Sequence, residues 1–273
     1  MSHQKDQAVD LHFEERGSGL PVIIMHGLFG SLGNWRAVAQ SLSSRYRVIN
    51  VDLRNHGRSP HTPGLDYELM AADILQLMDR LGLQRAHLLG HSLGGKLGML
   101  LADREPERFS RLVVVDIAPK AYPPWHKDVF AALESVELET LQSRAQAREQ
   151  MARYVFEPEV RAFLATNLEQ KQGQWRWRFN LPELKAAYDH TSAMPDLAGF
   201  YAGPALFVRG AQSAYIAPGD ENVILRDFPE SCIVTLQRAR HWPHIEDANG
   251  FLDTVGRFLS RGCQDMPQKP DKN

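Results

Sequence analysis

Gly90-His91-Ser92-Leu93-Gly94 is the stretch of this chain best suited to chemistry. In a G-x-S-x-G segment the serine sits on a sharp strand-to-helix turn that lifts its hydroxyl above a sheet. The flanking positions are glycine because side chains there would clash inside the turn. The segment follows an apolar run, Ala86-His87-Leu88-Leu89. It opens a helical stretch that reaches Arg104, with Pro106 beyond its end. A chance glycine-serine turn would lack that placement. The N-terminus of the following helix also favours negative charge developing nearby. Ser92 therefore reads as a nucleophile.

A serine hydroxyl needs an adjacent base. In the chain order Ser, Asp or Glu, His, the base should come late. His241 lies just past the last apolar run, where open α/β sheets hold their ligands, and is the expected base. His244, three residues on, is the competitor and reads as structural. His241, His244 and Glu246 could also suggest a metal site. Pro243 interrupts that spacing, and no helical H-E-x-x-H is present.

The acid that holds the imidazole is less determined by pattern. Asp116 directly follows Val113-Val114-Val115, and a charge there is otherwise expensive to bury. Asp220 and Glu221, after a later strand, stay open as alternatives. Asp116 could instead be a cap or loop acceptor, but it is the preferred acid. Donors for a tetrahedral oxyanion are expected from the backbone N–H of Leu28, in His26-Gly27-Leu28-Phe29-Gly30, and from that of Leu93 beside the nucleophile.

These residues need a scaffold. Val22-Ile23-Ile24-Met25, Val48-Ile49-Asn50-Val51 and Leu112-Val113-Val114-Val115 are apolar runs of the kind buried on both faces of a parallel sheet. Val9, Leu11 and Phe13 alternate with polar residues and suggest an edge strand. Leu69, Ile74, Leu77, Met78 and Leu81 recur at helical spacing. Strands resume at Ala205-Leu206-Phe207-Val208 and Ile233-Val234-Thr235-Leu236, and a helix over 249–259 closes the unit. The alternation predicts an α/β fold, a mostly parallel central sheet flanked by helices. Residues 1–119 and 201–262 make its core. Residues 120–200 show helical patterns near Val129–Val136, Leu141–Tyr154 and Val160–Leu168, and read as an inserted helical lid. Within it Trp175, Trp177 and Phe179 alternate with Arg176 and Arg178. This reads as a strand-like element with one apolar face, in preference to a clamp for an anionic acyl carrier. Asp52-Leu53-Arg54-Asn55-His56-Gly57-Arg58-Ser59 reads as a polar loop bracing the site, with Arg54 available for an ion pair.

Of 273 residues, 31 are Lys or Arg and 33 Asp or Glu, a net charge of -2 that offers no footprint for nucleic acid or an anionic membrane. Two cysteines, Cys232 and Cys263, cannot build a disulfide framework and are expected as reduced thiols. The polar start, Met1 to Gln7, lacks a signal-peptide core, and no apolar run approaches the roughly 20 residues of a membrane span. A cytoplasmic protein is expected, with residues 263–273 a disordered tail. Oligomeric state is not readable.

With elbow, oxyanion loop and late histidine together, the chain resembles the α/β-hydrolases from about Val9 to Leu259. More closely it is similar to small bacterial esterases of the YbfF type. The matching stretches are His26 to Ser31, Asp52 to Gly57, Gly90 to Lys96, Val115 to Pro119 and His241-Trp242. The resemblance implies hydrolysis of short to medium acyl esters, in some members acyl-coenzyme A thioesters, with no cofactor and a small-molecule substrate. Many α/β-hydrolases carry the acid after the strand that here is Leu206-Phe207-Val208. Ala214 stands where relatives often have aspartate, which shifts weight to Asp116. A C–C bond hydrolase, a perhydrolase, or a non-enzymatic ligand receptor on the same fold are the competing functions.

Overall fold

The computed structural model describes residues 8–199 and 201–266. Elements follow in chain order: β1 (Phe13–Arg16), β2 (Pro21–Met25), α1 (Arg36–Leu42), β3 (Arg47–Val51), α2 (Tyr67–Arg80), β4 (Ala86–His91), α3 (Leu93–Arg104) and β5 (Phe109–Val115). Then come α4 (Lys127–Glu134), α5 (Arg144–Met151), α6 (Pro158–Ala165), β6 (Leu168–Lys171), β7 (Gln174–Trp177), α7 (Leu181–Ala186) and α8 (Tyr188–Ser192). The chain finishes with β8 (Ala205–Gly210), α9 (Asp220–Asp227), β9 (Ser231–Leu236), α10 (Pro243–Glu246) and α11 (Ala248–Arg261).

Seven strands form one sheet in the order β1-β3-β2-β4-β5-β8-β9. All neighbours are parallel except β1 on β3. The two-residue period of a strand divides the apolar runs between two cores. Ile23, Met25, Leu112, Val114 and Phe207 face α2 and α3. Val22, Ile24, Val113, Val115, Leu206 and Val208 face α1 and α11, which bring Val38, Leu42, Phe251, Val255 and Phe258. Two cores on one sheet make the three-layer α/β arrangement expected from the alternation of patterns.

Several details differ from the expectation. The edge strand starts at Phe13, not Val9. The Val9 N–H donates to Asp73 Oδ1 at 2.7 Å and the His12 N–H to Ser59 Oγ at 2.8 Å, so side chains take the place of the sheet ladder there. Residues 120–199 contain, besides five helices, the antiparallel hairpin β6–β7. Its turn, Gln172-Gly173, has φ of 53° and 81°, the left-handed pair that a tight hairpin demands. Trp175 and Trp177 are on its inward face, and Arg176 and Arg178 both pair with Glu169, Arg178 at 3.0 Å.

The expectation of two free thiols is overturned. Cys232 on β9 and Cys263 after α11 are joined by a disulfide, with their Cα atoms 5.7 Å apart. The fold brings the last helix back against the last strand and sets the two residues at bridging distance. Residues 263–266 are also structured: Gly262–Asp265 form a short 3-10 turn and Met266 is buried. The rest of the expected tail, 267–273, and the polar start at 1–7 lie outside the described residues.

One buried ion pair ties the edge of the sheet to α2. Arg54 and Asp73 are each 1% exposed and meet through two contacts of 2.6 Å. Removing one partner strands the other charge away from water. Asp73→Ala should cost about 3–5 kcal/mol of stability, read from urea unfolding. A loss below about 1 kcal/mol would contradict this reading.

Candidate active site

β4 delivers Ser92 and β5 delivers Asp116, each on the first residue past the strand and each with positive φ, 50° and 51°. Positive φ costs a non-glycine residue energy and persists only where packing enforces it. Around Ser92 that packing is between backbones. A Cβ on Gly90 would lie 2.1 Å from the Gly94 carbonyl oxygen, and one on Gly94 would lie 2.4 Å from that of Met25. A Cβ on Gly27 would come 3.2 Å from Ser92 Cβ. The elbow, the end of β2 and the loop after it can therefore close on one another only without side chains at these positions.

Asp116 is fully buried and its carboxylate is fully used. Oδ2 accepts from His241 Nδ1 at 2.8 Å and from the Ser213 hydroxyl, and Oδ1 accepts from the Gly210 N–H at 3.0 Å. With Nδ1–H donated to Asp116, the other ring nitrogen of His241 is left as an acceptor. The imidazole is further fixed by Tyr215, which stacks on it with centroids 3.9 Å apart. Its backbone carbonyl accepts from His91 Nε2–H at 2.8 Å. The alternative acids are engaged elsewhere. Asp220 pairs with Lys120 at 2.6 Å and Glu221 with Arg209 at 2.7 Å. His244 stacks on Trp35 at 3.9 Å, and Glu246 accepts from the N–H groups of Arg240 and Trp242.

Leu28 and Leu93 line the same small cavity as Ser92. Among the described residues the N–H of neither has a protein acceptor. Leu93 owes this to its place at the first position of α3, where intrahelical partners do not exist. The loop carrying Leu28 is held from outside: Asn167 Nδ2 donates to the Phe29 carbonyl at 2.6 Å, and Phe29 itself has φ of 59°. Behind it, His26 donates Nδ1–H to the Gly27 carbonyl at 2.8 Å and accepts the Leu53 N–H at 3.0 Å.

Ser213, Asn167 and Tyr215 carry no sequence signal as site residues. Ser213 and Tyr215 stand in Arg209-Gly210-Ala211-Gln212-Ser213-Ala214-Tyr215, where Ala214 takes the place of the aspartate often found in relatives. A hydroxyl close to a displaced acid is the clue that loop did offer.

A nucleophile elbow, a histidine held by a buried carboxylate and free N–H groups above a parallel sheet define an α/β-hydrolase. The family model for the alpha/beta hydrolase fold matches residues 21–248, and the chain belongs to that family. It is 41% identical over 250 residues to the mouse (Mus musculus) sn-1-specific diacylglycerol lipase ABHD11, covering 88% of this chain and 81% of that one. It is 34% identical to esterase YbfF of Escherichia coli, covering 88% and 93%. Among solved structures, a marine microorganism esterase superposes with a TM-score of 0.89 at 34% identity, over 92% of this chain and 100% of the other. The chain is a hydrolase, and among its described residues no helix is long and apolar enough to cross a membrane.

Burial disfavours the charged form of three histidines near the site, His26, His56 and His244. It lowers His26 to about 4 and His56 and His244 to about 3. The unfolded chain takes up protons below about pH 6.5 that the folded chain refuses until near pH 4. Their contribution to stability is therefore complete above pH 6.5 and declines as pH falls toward 4. The urea midpoint should be lower at pH 5.5 than at pH 7.5; equal midpoints would contradict this.

Proposed function

We propose that Ser92, His241 and Asp116 form a catalytic triad that hydrolyses carboxylic esters through an acyl-serine intermediate. The observation that carries the reading is the 2.8 Å contact of His241 Nδ1 with the fully buried Asp116, in a chain whose serine stands on the strained elbow. That contact selects the tautomer whose Nε2 can take a proton.

Ser92 Oγ attacks the ester carbonyl and its proton passes to His241 Nε2. The carbonyl oxygen becomes an oxyanion, held by the N–H groups of Leu28 and Leu93. Collapse breaks the bond to the alcohol oxygen, which leaves with the proton from Nε2. Water then attacks the acyl-serine and gives a proton to Nε2. The acid departs and Ser92 Oγ regains its proton. Asp116 stabilises the imidazolium in both halves and stays ionised. No cofactor enters any step.

The same site would accept acyl thioesters, whose carbonyl meets the same nucleophile. Residues 120–200 act as a lid: Thr191, Ser192, Tyr188 and His126 from that segment roof the cavity over Ser92. That cavity holds about 40 Å³, below the roughly 300 Å³ and upward of a ligand pocket, and in this reading the segment moves aside to admit substrate. The Cys232–Cys263 bridge removes the support that two reduced thiols would give to a cytoplasmic location.

Ser92→Ala should abolish release of p-nitrophenol from p-nitrophenyl butyrate and labelling by a fluorophosphonate probe, with the melting temperature kept. Undiminished turnover sinks the proposal. Asp116→Asn should reduce turnover by about four orders of magnitude on the serine-protease scale, whereas Asp220→Asn should stay near wild type. The opposite ranking would transfer the acid role.

A further inference from the structure

Lys96 lies one helical turn past Ser92 on α3 and lines the same cavity, yet is only 3% exposed. Its ammonium donates to the carbonyls of Ser192 and Ala193, each at 2.7 Å, and sits 4.8 Å from the centre of the Tyr122 ring. An ammonium has three protons to donate. The third has no protein acceptor among the described residues, and no carboxylate there comes within ion-pair distance of Lys96. The contrast with the other inward cations is direct. Arg54 has Asp73, and Lys120 has Asp220. A buried charge without a counter-ion is costly, and burial lowers Lys96 to about 7. The two carbonyls and the ring face offset part of that cost and leave one donor without a protein acceptor among the described residues, on a side chain that lines the cavity with Ser92.

We propose that Lys96 is a subsite for a carboxylate on the acyl part of the substrate, so that this hydrolase prefers half-esters of short dicarboxylic acids over plain aliphatic esters of equal length. The inference rests on the reading of Ser92 as nucleophile. A hydrocarbon tail reaching Lys96 would bury methylene groups against an ammonium and gain little. A carboxylate there forms a charge-assisted hydrogen bond where water is excluded, the strong class of such bonds. Ser92 and Lys96 line one small cavity, so the acid group belongs on the acyl chain itself, and a series of chain lengths locates it. The other role open to Lys96 is to pin the end of α8 to α3 through the two carbonyls. A pin acts on all substrates alike, whereas a subsite acts on the acid-bearing ones.

The test compares kcat/KM by pH-stat for matched pairs: monoethyl succinate with ethyl butyrate, monoethyl glutarate with ethyl valerate, and monoethyl adipate with ethyl hexanoate. In the wild type at least one half-ester should exceed its neutral partner by about tenfold or more. That ratio should collapse in Lys96→Met and survive in part in Lys96→Arg. Hydrolysis of the neutral esters with no ratio above one overturns the subsite and leaves the esterase reading standing. A ratio unchanged in Lys96→Met overturns it as well. Hydrolysis of none of the six overturns both. Should Lys96→Met not fold, the wild-type ratios, with inhibition by free glutarate against free valerate, decide the matter: preferential inhibition by glutarate is expected, and equal inhibition overturns the subsite.

Discussion

A carboxylate with no access to water organises this molecule. Asp116 is fully buried, and an uncompensated charge there would destabilise the fold by more than any single contact nearby returns. Its compensation comes from three donors on two separate segments: the Gly210 N–H and the Ser213 hydroxyl from the loop after β8, and Nδ1–H of His241 from the loop after β9. Satisfying the charge thus forces the C-terminal ends of β5, β8 and β9 to converge. The arrangement that makes the carboxylate tolerable also sets the tautomer and position of the histidine. In the proposed triad, stability and chemistry would share one set of hydrogen bonds at this point.

The second constraint is the absence of side chains where β2, β4 and α3 meet. Gly90 and Gly94 are in backbone-to-backbone contact, with Gly27 against the Ser92 side chain. This close packing supports the positive φ of Ser92. The same condition recurs around the site: Phe29, Asn55 and Asp116 are also non-glycine residues with positive φ, and each stands in a loop just past a strand of the sheet. Strain there is sustained by the rigid sheet beneath, whose inner strands bury both faces.

Much of this was legible because the inner strands are continuous apolar runs and the elbow is a spacing of glycines around a serine. Both signals come from local geometry. Val22–Met25, Val48–Val51 and Leu112–Val115 fall within β2, β3 and β5, and Ser92, Asp116 and His241 stand at strand ends as the patterns suggested. What could not be read depends on partners distant in sequence. Val9 leaves the sheet because Asp73, 64 residues away, takes its N–H. Cys232 and Cys263 meet because α11 folds back on β9, which spacing alone does not reveal. Ser213 and Asn167 matter through single hydrogen bonds across 97 and 138 residues, and no periodicity marks such a bond.

The segment between β5 and β8 is where these threads join. It reaches the machinery at two points besides roofing the cavity. Asn167 holds the carbonyl of Phe29, the residue after Leu28, and the carbonyls of Ser192 and Ala193 hold the ammonium of Lys96 on the helix that follows Ser92. A motion that opened the whole segment would release both contacts at once. The loop carrying Leu28 would lose its outer brace as the ammonium lost two acceptors. Closing over a substrate restores both, and a substrate able to satisfy the ammonium's remaining donor would favour closure over one that cannot. In this scheme the recognition of the acyl group and the alignment of the Leu28 N–H are not separate events. The substrate that fits would offset the cost of ordering the segment, and binding energy at the acyl carboxylate would be converted into geometry at the scissile bond.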